Sequence, residues 1–128
     1  MSPKFQEAII HPAFKRDGQT HNPAAGTTAV VSVAAVNNVR HYADRFSVSQ
    51  RNQAAAAYTA TLTLRDSSIA GTILAQWEFV TAVNTVDRFS ERLAMPGLLS
   101  NAMFLVWDPP AASVTQKIAL ATYRESFS

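Results

Sequence analysis

Ten polar side chains recur at every second position along three stretches of the chain. Arg45, Ser47, Ser49 and Arg51 alternate with Phe46 and Val48; Thr59, Thr61, Thr63 and Arg65 alternate with Ala60, Leu62 and Leu64; Gln76 and Glu78 alternate with Ala75, Trp77 and Phe79. Hydroxyls and amides hydrogen-bond to phosphate oxygens, 2′-hydroxyls and base edges, and arginines neutralise phosphate charge, so this composition suits RNA. A competing account needs no ligand. Threonine on the wet face of a strand is a good β-former, and no aromatic stacking platform stands among these residues.

Catalytic chemistry finds little support. His11, His21 and His41 sit in unrelated contexts without i, i+4 spacing or an HExxH pattern, which argues for surface or packing histidines and against a metal site. The chain has no cysteine, so thiolate nucleophiles, thiolate metal sites and disulfides are excluded. Its four glycines form no phosphate-binding loop, and there is no GxSxG elbow. Glu78 has no second titratable group at strand spacing and reads as a structural or ligand-contacting residue. The expectation is a protein that is not an enzyme and uses no cofactor or metal.

The elements that must position the ten residues are strands, because a period of two places their apolar neighbours on one face and them on the other. Thr28 to Val36 is rich in β-branched residues and predicts a largely buried strand before them. Lys4 to Ile10 predicts a short strand, and Asp17-Gly18 a turn, giving an N-terminal hairpin interrupted by His11-Pro12 and Asn22-Pro23. Asn37-Asn38, Asn52 to Ala56 and Asp66 to Gly71 predict short connections, which favour antiparallel neighbours.

After Val83 the spacing predicts helices. Asn84 is placed to cap one that carries Val86, Phe89 and Leu93 inward, and Pro96-Gly97 ends it. Leu98, Leu99, Ala102, Met103 and Val106 resume a helical stripe up to Asp108-Pro109-Pro110. Residues 111–128 suit either a helix, through Val114, Ile118 and Ala121, or a strand, through Val114, Ile118 and Leu120; the proline pair tilts the choice toward helix. Strands first and helices last is an α+β pattern, with helices on one face of an antiparallel sheet. Two short helices leave Trp77 and Phe79 incompletely covered, which predicts a second subunit over the sheet.

Length and charge are consistent with one small domain. The chain has 128 residues, 48% hydrophobic and 16% charged, with a net charge of +2. Residues 1–65 hold seven Lys or Arg and three Asp or Glu, whereas residues 66–128 hold four and six, so an anionic partner is expected to prefer the first half. The opening MSPKFQEAII lacks the organisation of a secretory signal, and no apolar run approaches the ~20 residues of a membrane helix. A soluble chain without membrane contact, made inside a cell, is expected.

The order of segments, with RFSVSQRN followed by YTATLTLRD and ILAQWEFVTAVN, resembles the coat proteins of single-stranded RNA bacteriophages of the levivirus type. The resemblance spans roughly residues 5 to 108. It implies one coat domain, with an N-terminal hairpin over 1–23, the main sheet over 28–83, helices over 85–107 and an extension over 111–128. It also implies an interlocked homodimer that assembles into an icosahedral capsid around single-stranded genomic RNA, in a virion built in the bacterial host cytoplasm. The inner sheet face would bind an RNA hairpin for packaging and translational repression. Carried over by position, its RNA-binding residues would be Arg45, Ser47, Ser49, Thr59, Thr61, Thr63, Gln76 and Glu78. Two other readings stand beside it: a small α+β enzyme or small-molecule-binding domain with a pocket between sheet and helices, and a cellular RNA-binding module.

Overall fold

A computed structural model describes residues 14–107 and 112–127, and among them there are eight β-strands and no α-helix. In chain order these are β1 (Phe14–His21), β2 (Val30–Val33), β3 (Val39–Asn52), β4 (Tyr58–Asp66), β5 (Ile73–Thr81), β6 (Thr85–Pro96), β7 (Met103–Trp107) and β8 (Val114–Ser126). They form two four-stranded antiparallel sheets, ordered β1-β8-β3-β6 and β2-β7-β4-β5. Only β4 and β5 are consecutive strands paired in one sheet; every other link crosses between the sheets, which gives the connectivity of a jelly roll.

Alternation builds the core between the sheets. Phe46 and Val48 from β3, Ile118 and Leu120 from β8, Leu62 and Leu64 from β4, and Leu105 and Trp107 from β7 are all buried. Removing each such side chain from water contributes about 1.5–3 kcal/mol before entropy is counted. Trp77 packs on Phe46 with ring centroids 4.7 Å apart, and Phe79 stacks on Phe89 of the opposite sheet at 4.1 Å.

This architecture overturns the α+β expectation with its two C-terminal helices and interlocked dimer. Phe89 and Leu93 are four residues apart, a spacing that satisfies both a helical face and one side of a strand; they belong to β6. Asn84 caps no helix. It takes φ 57° in the turn between β5 and β6, a conformation asparagine tolerates better than most residues. The second predicted helix is a turn followed by β7, and residues 111–128 supply β8, which lies between β1 and β3. Trp77 and Phe79 are covered by the chain's own second sheet, which removes the reason for a subunit over them.

The N-terminal hairpin is corrected as well. Asp17-Gly18 lies within β1 and makes no turn, while Lys4 to Ile10, His11-Pro12 and Asp108 to Pro110 lie outside the described residues. The three strands at the heart of the sequence pattern do form, and Asn38 turns the chain before β3 with φ 58°.

A β-bulge interrupts β3. Val39, His41 and Ala43 point inward before it and Phe46, Val48, Gln50 and Asn52 after it, because Asp44 is an extra residue between the β8 pairs Ala43–Thr122 and Arg45–Ala121. The bulge lets both halves of a 14-residue strand bury the correct side.

Candidate functional site

The outer face of the β1-β8-β3-β6 sheet concentrates positive charge. Register places Lys117 of β8, Ser49 of β3 and Arg88 of β6 directly opposite one another in one row across three strands. The next row toward the end of β3 holds Thr115, Arg51 and Val86. On the other side lie Thr20, Ala119, Ser47 and Ser90, then Gly18, Ala121, Arg45 and Arg92. Arg45, Arg51, Arg88, Arg92 and Lys117 are all exposed, and these four rows contain no carboxylate. β6 achieves this by parity: Arg88 and Arg92 face outward, whereas Asp87 and Glu91 stand opposite the inward-facing Gln50 and Phe46.

Small side chains make the floor of this face. Three adjoining depressions of about 310, 260 and 230 Å³ run along it. The first two share Ser49, Arg88 and Lys117, and the last two share Thr20, Ser47 and Ala119, so they form one shallow trough. From Arg45 to Arg51 it spans about 20 Å at the strand rise of ~3.3 Å per residue. Beyond the bulge the same sheet carries Tyr42 stacked on Tyr123, with centroids 4.8 Å apart and planes 6° from parallel. The Tyr42 hydroxyl donates to Glu125 Oε1 at 3.0 Å. Burial and, after it, that carboxylate hold the Tyr42 phenol above its ordinary pKa, against the opposite pull of Arg40.

The residues singled out in the sequence are therefore divided. Arg45, Ser47, Ser49 and Arg51 share the basic trough. Thr59, Thr61, Thr63, Gln76 and Glu78 lie in β4 and β5, in the other sheet, with Thr61 opposite Glu78 and Thr63 opposite Gln76. Thr63 is buried and donates to the Val106 carbonyl at 3.3 Å, and Arg65 Nε donates to the Thr63 hydroxyl at 3.1 Å. Arg65 also donates to the Gly71 carbonyl at 2.8 Å, tying down the turn after β4. Sequence reasoning missed Arg88, Arg92 and Lys117, which a strand reading of β6 and β8 would have placed beside Ser49.

Neither of the two described histidines stands in a ligand cluster. His21 Nδ1 accepts from the Val30 amide at 3.1 Å, and the buried His41 ring donates through Nε2 to the Ala34 carbonyl at 2.8 Å. Among the described residues no three His, Asp or Glu come together as a metal site. His11 lies outside them.

No family model and no curated protein matches this sequence. Solved structures do share its fold. PorU from Porphyromonas gingivalis, in its latent dimeric form, aligns with a TM-score of 0.51 at 13% identity over 89% of this chain, which spans only 13% of that one. A Bacillus endospore appendage pilus subunit aligns at 0.41 with 15% identity over 91% of this chain and 90% of that one. The tobacco streak virus coat protein aligns at 0.39 with 11% identity, covering 89% of both chains. At 13% identity the likeness to PorU concerns the fold alone.

The levivirus-type reading does not survive the fold. It requires helices packed over a single sheet and one continuous RNA face, whereas this chain is a helix-free sandwich among its described residues and divides the proposed face between two sheets. The alternative pocket between a sheet and helices fails for the same reason.

Proposed function

We propose that this chain is a non-catalytic binding domain that holds an acidic polysaccharide along the outer face of β8, β3 and β6. The observation that carries this reading is the row Lys117–Ser49–Arg88, set among Arg45, Arg51 and Arg92 with no carboxylate in the four rows. Charged donors flanking a floor of hydroxyl and methyl groups match a chain of sugar hydroxyls and regularly spaced anionic groups. A ligand read by base stacking is less suited. The trough floor offers no aromatic face, and Tyr42 and Tyr123 stack on each other.

Heparin oligosaccharides serve as the probe. Calorimetric titration is expected to show binding that weakens as salt is raised. The double variant Lys117→Gln/Arg88→Gln should bind about tenfold more weakly, in keeping with charge-assisted hydrogen bonds partly screened by solvent. Glu78→Gln, in the other sheet, should bind as the parent does. The length of the oligosaccharide should be unchanged after incubation. Absence of binding, or tighter binding of homopolymeric single-stranded DNA of equal charge, overturns the assignment.

A further inference from the structure

Among the described residues, four strands end the two sheets: β1 and β6 in one, β2 and β5 in the other. An edge strand presents unpaired backbone donors and acceptors, and proteins that stay apart guard such edges with charges, prolines or brevity. Three of the four are guarded here. β2 has only four residues. β1 carries the consecutive charges Lys15, Arg16 and Asp17. β6 ends in Pro96, and its outward-facing Arg88 and Arg92 and inward-facing Asp87 and Glu91 set like charges against each other in its central self-pairing registers.

Among the described residues, β5 has no such guard. Its sequence ILAQWEFVT contains no proline and one charge, Glu78, and its exposed Ile73 and Val80 leave apolar surface along the edge. A bulge at Leu74 leaves Ala75 to Thr81 as the regular segment.

We infer that the β5 edge pairs antiparallel with β5 of a second copy about a twofold axis, joining two four-stranded sheets into one of eight strands. Symmetric pairing must keep each face continuous, so residues of the same parity meet. Centring on Glu78 would use the whole regular segment but set two carboxylates against each other on the axis. Centring on Phe79 would place Glu78 opposite Val80. Centring on Trp77 places Gln76 opposite Glu78 and Ala75 opposite Phe79, so the amide meets the carboxylate twice and the apolar sides meet at the sandwich rim. The charge pattern selects this register and, with it, a second copy of the chain as the occupant.

Sedimentation velocity of the full chain over a concentration series tests the pairing. A mass rising from one chain toward two is expected. Gln76→Lys, an exposed change that sets lysine opposite Glu78 twice, should tighten the dimer about tenfold, and Gln76→Glu should loosen it by a similar factor. Because the chain lacks cysteine, Gln76→Cys/Glu78→Cys should yield a disulfide-linked dimer on oxidation. A chain that stays monomeric overturns the inference, including the case where the edge is met only by a strand of another protein. A dimer indifferent to both Gln76 variants and not trapped by the cysteines overturns the surface.

Discussion

Gln116 donates through Nε2 to Gln50 Oε1 at 2.9 Å, and neither side chain is reached by solvent. Gln50 Nε2 in turn donates to the Thr81 hydroxyl at 2.9 Å, and Asn52 Nδ2 donates to the Thr81 and Ala56 carbonyls at 3.0 and 2.9 Å. This polar chain fastens β8 and β3 of one sheet to the end of β5 in the other. Its members sustain one another, because a buried donor left alone costs more than the hydrogen bond itself contributes.

Gln50→Met is therefore expected to destabilise the fold by about 1–3 kcal/mol, since it keeps much of the volume but strands the Gln116 amide and the Thr81 hydroxyl. Gln50→Met/Gln116→Met should recover part of that loss, because both partners are then apolar. Urea unfolding of the two single variants and the double variant measures the coupling. Strictly additive losses would count against a connected chain.

Position within the sandwich sets the cost of losing an aromatic ring. Phe46 is 1% exposed and touches Trp77 and Phe79, while Phe89 is half-buried on the edge strand β6. Phe46→Ala should cost about 3–5 kcal/mol and Phe89→Ala clearly less. Denaturant midpoints at unchanged m-value provide the comparison, and equal losses would show that the β6 rim is as tightly packed as the centre.

Tyr42 titrates late because burial and the Glu125 carboxylate favour its neutral phenol. Since folding raises this pKa, the stabilisation it brings is complete below the unfolded value of about 10 and is lost as pH rises through the folded value. Alkaline difference absorbance between the parent and Tyr42→Phe should place the missing tyrosinate signal above the range of a free tyrosine. A signal within that range would mean that neither burial nor Glu125 reaches the phenol.

Strand identity was legible wherever a short alternating run was bounded by turn residues, and β4 and β5 appear within a residue or two of the positions their patterns predict. Sheet membership was not legible. Alternation tells which side of a strand is dry, but the dry sides of β3 and of β4 with β5 face each other across the core, so one imagined wet face became two. β6 was misread because Asn84, Asp87, Phe89 and Leu93 fit a capped helix as well as a turn and a strand. That single misreading hid Arg88 and Arg92. The trough was half visible, through Arg45 to Arg51, because charges supplied by neighbouring strands cannot be read from one segment alone.

The bulge at Asp44 has a consequence for how the chain tolerates change. Before it the odd-numbered residues of β3 are dry, and after it the even-numbered ones are. Drawing that one residue into the regular ladder would act on the strand as a frameshift acts on a reading frame. Every side chain would survive, yet Phe46 and Val48 would exchange places with Arg45 and Ser47, moving a ring and a methyl pair into water and a guanidinium into the core. Evolution can therefore rewrite the trough residue by residue, while insertions and deletions within β3 are confined to the bulge itself or to places where a second one restores the phase.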